Sequence, residues 1–249
     1  MIVGAVSDVG LKRQNNQDYM FASTEESFPL FVIADGMGGH NAGEVASSMA
    51  VKTILDKFRG NLERLKNEKA IKLLIKEAIQ EANDNIYLKS IERQELNGMG
   101  TTITMAYIYG TKIFIGHVGD SRAYVVKNRE LSQITEDHSL VNELVKNGSI
   151  TPAEAINHPQ RNMITRAVGT SYKINLDLYI LSFEDKDKLV LCSDGLTNMV
   201  DDKTILEVIN SNDLDMYKVC NDLVTLAKNN GGRDNITVVG INLEKEVLK

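Results

Sequence analysis

The sequence predicts an α+β fold in which two antiparallel sheets pack together with helices outside. Three observations carry that reading. β-type runs cluster as a meander between residues 101 and 134, helical stripes are grouped before and after it, and no linker or internal repeat divides the chain. One domain spanning residues 1–249 is therefore expected, a length that buries a substantial core without staples.

The elements follow in order. Strand-like runs occupy 2–7, 19–23 and 30–34, and a helix is expected over 42–58, where apolar residues recur at Val45, Met49, Ile54 and Phe58. A second helix is expected over 68–92. There Ile71, Leu74, Ile75, Ala78, Ile79, Ala82 and Ile86 keep the three-four spacing of a core-facing stripe. The meander comprises 101–109, 112–118, 122–127 and 130–134, with "VKNRE" as the turn between the last two. Residues 138–170 hold Pro152 and Pro159, two of only three prolines, with helical pieces between polar loops. They read as a surface flap inserted between strands. Strands resume at 174–182 and 187–192, helices take 202–210 and 213–229, and "NITVVGINL" closes as a strand.

Composition narrows the function. Hydrophobic residues make up 43% and charged residues 25%, the balance of an ordinary globular protein. The net charge of -6, with no basic cluster to offset it, argues against nucleic acid as the main partner. No 18-residue apolar run suggests a membrane span, and "MIVGAVSDVG" has no basic leader and breaks its apolar run at Asp8, so no export signal is expected. Cys192 and Cys220 sit in an apolar run and a helical pattern, as buried free thiols in a reducing cytoplasm would. Neither has the arginine six residues on that a cysteine-dependent phosphatase loop needs.

The chemistry lies in a recurring pattern. "LFVIADGMGGH" runs from an apolar strand into glycines with Asp35 at the seam; "IFIGHVGDSRAY" delivers Asp120, and "KLVLCSDGL" delivers Asp194, in the same way. "GGRDNITVVGI" sets Asp234 before the last strand, and "RQNNQD" sets Asp18 before another, five residues after Arg13. Each acid alone could serve a turn. Five together at strand ends, if those ends meet, crowd like charges that need a cation or strongly raised pKa values. Oxygen ligands without a Cys/His cluster favour Mg²⁺ or Mn²⁺ over zinc, and the four histidines, His40, His117, His138 and His158, are scattered.

"RQNNQD", "ADGMGG", "GMGTT", "VGDSRAY", "TEDHSLV", "LCSDGL" and "GGRDNITVV" occur in the order and spacing of a known family. Over about residues 4 to 242 the chain resembles the PPM-type (type-2C-like) metal-dependent protein Ser/Thr phosphatases. It is most similar to the compact bacterial members that oppose membrane-bound Ser/Thr kinases. That resemblance implies a four-layer α-β-β-α sandwich, two antiparallel sheets flanked by helix pairs, with a binuclear metal site at one end.

Position by position, Asp35 resembles the carboxylate bridging both metals and Gly36 the backbone carbonyl ligand of the second. Asp194 and Asp234 resemble ligands of the first metal, Asp18 the acid holding metal-bound waters, and Arg13 the clamp on the substrate phosphate. Asp120, with Asp194, resembles a third, weaker metal site, while Thr102 and Asn235 resemble scaffold. Two positions depart from the pattern. Gln17 stands where many relatives have Glu, and Met37 where animal members have a histidine proposed as general acid. His40, three residues on, is the candidate substitute, with a plain loop histidine as the alternative.

The expected activity is Mn²⁺- or Mg²⁺-dependent hydrolysis of phosphoserine and phosphothreonine on proteins by metal-activated water, in bacterial signal transduction. Two tight ions and a possible third are implied. Phosphorylated proteins are the expected partners, a Ser/Thr kinase among them, and a cytoplasmic monomer is the expected form. Two other readings stand beside it. A catalytically weak phosphoprotein-binding regulator of the same fold is one, though the intact acids argue against it. A nucleotide binder is the other, but "GMGGHNAGE" lacks the lysine of a Walker loop.

Overall fold

The computed structural model describes residues 1–39, 42–211 and 215–244. Strands β1 (Ile2–Asp8), β2 (Asp18–Ala22) and β3 (Leu30–Met37) come first, followed by α1 (Ala42–Arg59) and α2 (Glu68–Glu92). Next are β4 (Gly100–Thr101), β5 (Ile103–Tyr109), β6 (Lys112–Val118), β7 (Arg122–Lys127) and β8 (Glu130–Gln133). Two short helices, α3 (Leu140–Lys146) and α4 (Pro152–Ile156), precede β9 (Asp177–Ser182) and β10 (Lys188–Cys192). The chain then forms α5 (Asp194–Thr197), α6 (Asp202–Ser211), α7 (Met216–Asn229) and β11 (Ile236–Asn242).

One sheet has the order β1-β11-β10-β7-β8 and the other β2-β3-β5-β6-β9, with β4 paired to the end of β3. All pairings between these strands are antiparallel. Strand alternation sorts side chains into layers. In β3, Leu30, Val32 and Ala34 face α1 and α2, whereas Phe31 and Ile33 face the opposite sheet. In β11, Ile236 and Val238 face α6 and α7, whereas Val239 and Ile241 fill the space between the sheets. Three apolar layers thus separate four layers of secondary structure. The α+β sandwich expected from the sequence is the fold observed.

α2 buries the stripe read from its spacing, Ile71 through Ile86, without exception. α1 does not. Its buried face is Ala42, Gly43, Ala46, Ser47, Ala50, Val51, Ile54 and Phe58, and Val45 and Met49 are only half-buried. Small residues bring this helix onto β3 more closely than branched ones could. A Cβ on Gly36 would lie 2.1 Å from the Gly43 carbonyl oxygen, so glycine is required there.

The meander also departs from expectation at Thr102, where the single run splits into β4 and β5. The backbone N–H of Thr102 donates to the Asp35 carbonyl at 2.8 Å, and its hydroxyl accepts from the Asp35 N–H at 2.9 Å. The β7–β8 turn has Asn128 and Arg129 at positive φ, the two-residue hairpin that "VKNRE" supplies. Between β8 and β9 the chain leaves the sheets through α3 and α4. Its ends are fastened by isolated bridges between Ser139 and Ile164 and between Thr101 and Val168. Both cysteines are free and buried. Among the described residues no helix is long and apolar enough to cross a membrane.

Candidate active site

The topology decides where the five acids go. Asp18 opens β2, Asp35 lies near the end of β3, Asp120 follows β6, Asp194 follows β10 and Asp234 precedes β11. In antiparallel sheets of this order those positions fall at one edge of the sandwich. Asp35 is not strictly a strand-end residue, because pairing of Gly36 and Met37 with β4 carries β3 two residues further. Asp18 and Asp35 are direct register partners, a like-charge pair that a purely structural sheet avoids.

Hydroxyls and amides hold the acids in place. One oxygen of the buried Asp18, Oδ2, accepts from Ser193 Oγ, just past β10, at 2.8 Å and from Thr237 Oγ1, on β11, at 2.7 Å. Asn198, one helical turn after Asp194, donates to Asp194 Oδ2 at 2.9 Å. Asp234 Oδ1 accepts from the Asn235 N–H, and its Oδ2 accepts from Arg13 Nη2 at 2.8 Å. Asn235 reaches back to the Val9 and Asn15 carbonyls and accepts from the Gln17 N–H, so it fixes the loop that carries Arg13. Thr101 Oγ1 donates to the Asp35 carbonyl oxygen.

Ser193, Thr237 and Asn198 have no role in the sequence reading. Thr237 could have been found, since it falls on the inward-facing parity of β11. Ser193 sits beside an acid already singled out. Asn198 needed a helix after Asp194, and α5 is too short to leave a periodic signal.

Burial, and then crowding, shift the proton affinity of the acids upward. Burial, then the charges of Asp18, Asp194, Asp120 and Asp234, hold Asp35 well above the usual carboxylate range. Burial pushes Asp18 up to about 7 despite its two hydroxyl donors, with Asp194 and Asp234 adding to the rise. Asp120 rises to about 8 through burial and the charges of Asp194 and Asp137. Asp194 rises to about 6 through burial and Asp234, tempered by Asp35, Asn198 and Arg13. Such mutual repulsion requires the acids to be near neighbours. Arg13, half exposed, is held charged by Asp234, with Asp35 and Asp194 also in range.

Two carboxylate oxygens, Asp18 Oδ1 and Asp194 Oδ1, are buried with no hydrogen-bond partner. An orphaned carboxylate oxygen is costly, so its natural partner is a cation or a water that a cation orients. The donor set is all oxygen, which suits a hard divalent ion. Among the described residues no three acid, histidine or cysteine side chains form a ready-made metal-holding group. A hard ion that keeps several waters needs only one or two carboxylates, so acids that share this edge without forming a closed cage still fit one. Gly36 lies in this edge beside Asp35, its N–H donating to the Gln17 carbonyl. His40 lies outside the described residues. A cleft of about 270 Å³ is lined by Asp120 and Asp194 together with Arg122, Asp137, Ile156 and Arg161.

The family model for protein phosphatase 2C matches residues 11–226. The chain belongs to the protein phosphatase 2C family. This protein phosphatase is 41% identical over 235 residues to the serine/threonine phosphatase stp of Listeria monocytogenes, covering 94% of this chain and 92% of that one. Its fold matches the S. agalactiae serine/threonine phosphatase with a TM-score of 0.91 at 39% identity, over 97% of this chain and 99% of that one. It also matches the catalytic domain of the serine threonine protein phosphatase PstP in complex with two manganese ions. There the TM-score is 0.84 at 35% identity, over 96% of each chain. The PPM-type resemblance of the motifs is thus a family membership of the phosphatase.

Proposed function

We propose that this phosphatase hydrolyses phosphoserine and phosphothreonine on proteins with Mn²⁺ or Mg²⁺, and that it opposes a bacterial Ser/Thr kinase in the cytoplasm. The observation that carries the reading is the pair of orphaned buried oxygens, on Asp18 and Asp194, within a cluster of five acids. The names of the similar proteins and the manganese-bound neighbour support it. We take the chain as one catalytic domain, with residues 138–170 as a flap over the cleft.

Asp35, Gly36, Asp194 and Asp234 would hold two ions, with Asp120 and Asp194 available to a third, weaker one. When bound, the ions supply the positive charge that makes water nucleophilic and that offsets the charge of the phosphate. The chain's own residues do the rest. Asp18, pinned through one oxygen by Ser193 and Thr237, keeps the other aimed into the site to orient a water. Arg13 presents a planar fork of donors that suits phosphate oxygens, and it is held in the site by Asp234 until substrate competes for it. Attack by water needs no covalent intermediate on the enzyme, in keeping with two buried cysteines whose thiols burial pushes up to about 12. His40 is the candidate proton donor to the departing serine or threonine oxygen.

Turnover of an aryl phosphate and of a phosphothreonine peptide, measured in chelator and after Mn²⁺ addition, tests the reading. Activity that appears only with the ion is expected, on both substrates. Activity undiminished by chelator would overturn the metal assignment. Binding of the phosphopeptide without turnover at any metal concentration would select the regulator reading.

A further inference from the structure

The turn carrying Asp120 is gripped from outside. Gly119, at φ +116°, precedes the acid in a conformation that L side chains rarely adopt. Both of its backbone groups go to one residue. The Gly119 N–H donates to His138 Nδ1 at 3.0 Å, and the His138 N–H donates to the Gly119 carbonyl at 2.8 Å.

That geometry settles the state of the ring. Nδ1 accepts, so it carries no proton, and Nε2 is therefore the protonated nitrogen, 3.1 Å from Asp177 Oδ2, with Arg166 Nη1 3.3 Å from both Nε2 and Asp177 Oδ1. Asp177 on β9 fixes the tautomer, and the His117 ring packs against His138 with centroids 4.8 Å apart. The neighbouring residue closes the other side of the turn. Asp137 takes the Arg122 guanidinium through three hydrogen bonds of 2.7 to 3.1 Å. Residues 137 and 138 therefore hold the turn on both flanks of Asp120. The same histidine anchors the 138–170 segment, since its carbonyl accepts from the Thr165 N–H at 2.7 Å and the adjacent Ser139 bridges to Ile164.

We propose that His138 is a positioning residue for Asp120, gripping Gly119 by both backbone groups and tying that turn to the root of the 138–170 segment. The proposal rests on the reading of Asp120 as an acid of the catalytic site. A half-buried acid on a glycine turn needs such support to keep one orientation, and second-layer hydrogen bonds of this kind commonly set how well a site works.

Two conservative variants separate the grip from the tautomer-fixing contact. Asn in place of His138 keeps an acceptor where Nδ1 stands, whereas Gln reaches toward Asp177 and leaves the Gly119 N–H unpaired. His138→Gln should accelerate hydrogen exchange of the Gly119 amide in chelator, read by NMR. It should lower kcat about 10-fold at saturating Mn²⁺ without moving KM for an aryl phosphate. His138→Asn should leave both near wild type. Equal losses in the two variants, tracking their Tm, would overturn the proposal, as would unchanged kcat in His138→Gln with the Gly119 amide freed. Asp120→Ala is the separate control. Unchanged turnover and an unchanged Mn²⁺ titration there would remove the reading of Asp120 and with it the link to catalysis, although amide exchange would still report the grip.

Discussion

At the edge of the sandwich where β6 turns into β7, five carboxylates gather, and the two arginines nearest them are already engaged, Arg13 with Asp234 and Arg122 with Asp137. At the opposite edge the charges are matched one to another. The N-terminal ammonium of Met1 meets Glu26 at 3.2 Å and Glu244 at 2.7 Å, Lys112 meets Glu68, and Lys127 meets Asp187. The same strands end at both edges, so strand geometry cannot account for the difference. One edge is arranged to be satisfied by the chain itself. The other crowds its acids beyond what its arginines match, so protons or an added cation must answer the rest, and such an edge weakens the empty fold.

Replacing acids at the crowded edge should have the largest effect. Asp35→Asn and Asp194→Ala are each expected to lower turnover by more than about 100-fold, beyond the loss typical of outer positioning groups. Each should also raise the Tm of the chelated protein, because one charge leaves the cluster. Circular dichroism, melting and turnover on the same samples check both. Retained turnover in Asp194→Ala at saturating Mn²⁺ would break the comparison at its root.

Arg13 comes next. Its removal should chiefly raise KM for a phosphopeptide, by about 10-fold, with a smaller change in kcat, since a phosphate clamp binds ground state and transition state alike. Arg13→Lys should restore only part of the binding, because a point charge lacks the fork. Steady-state kinetics on a phosphothreonine peptide decide it, and an unchanged KM would count against the clamp.

A smaller effect is expected on stability against pH. Above about pH 6.5 the aspartates and histidines of an unfolded chain are largely deprotonated. Folded, metal-free Asp18 and Asp120, held at about 7 and about 8, still carry protons there. The folded state binds more protons, so its stability falls as pH rises from about 6.5 to about 8. Below that window the buried His117, pushed down to about 3, opposes the trend, because the unfolded chain takes up the proton that the folded ring refuses. Calorimetry in chelator should therefore give a lower Tm at pH 8 than at pH 6.5, and saturating Mn²⁺ should abolish the slope. A flat profile in chelator would show that burial and crowding together do not hold protons on these acids.

The opposite edge supplies the smallest effect. Glu244→Ala breaks an exposed pair with the N-terminus and should change stability by less than about 1 kcal/mol and turnover not at all. A large loss from so remote a site would mean that the two edges are coupled.

Legibility in the sequence followed the physics of each element. α2 was readable because its apolar residues are large and strictly spaced. α1 was readable as a helix, but much of its buried face was not, because alanine, glycine and serine leave little hydrophobic signal and are there for their small size. The acids stood out by repetition, one per strand end, and their convergence required only the antiparallel order. Thr102 hid the β4–β5 break, because its hydrogen bonds to Asp35 join residues 67 apart in sequence. The grip of His138 on Gly119 was equally invisible, since a lone histidine in "TEDHSLV" gives no sign of which backbone it meets.

The order β1-β11-β10 has a consequence for synthesis. β11 follows every other described strand in the chain yet is inserted between β1 and β10, so the sheet that contains β1 stays split until β11 has been made. Asp234 and Asn235 arrive with that strand, and with them the residue that pairs with Arg13 and the residue that fastens its loop. A nascent chain therefore holds at most four of the five acids and an untethered arginine. Closing this sheet and bringing the fifth acid beside the other four are therefore one event, because both wait for the same strand.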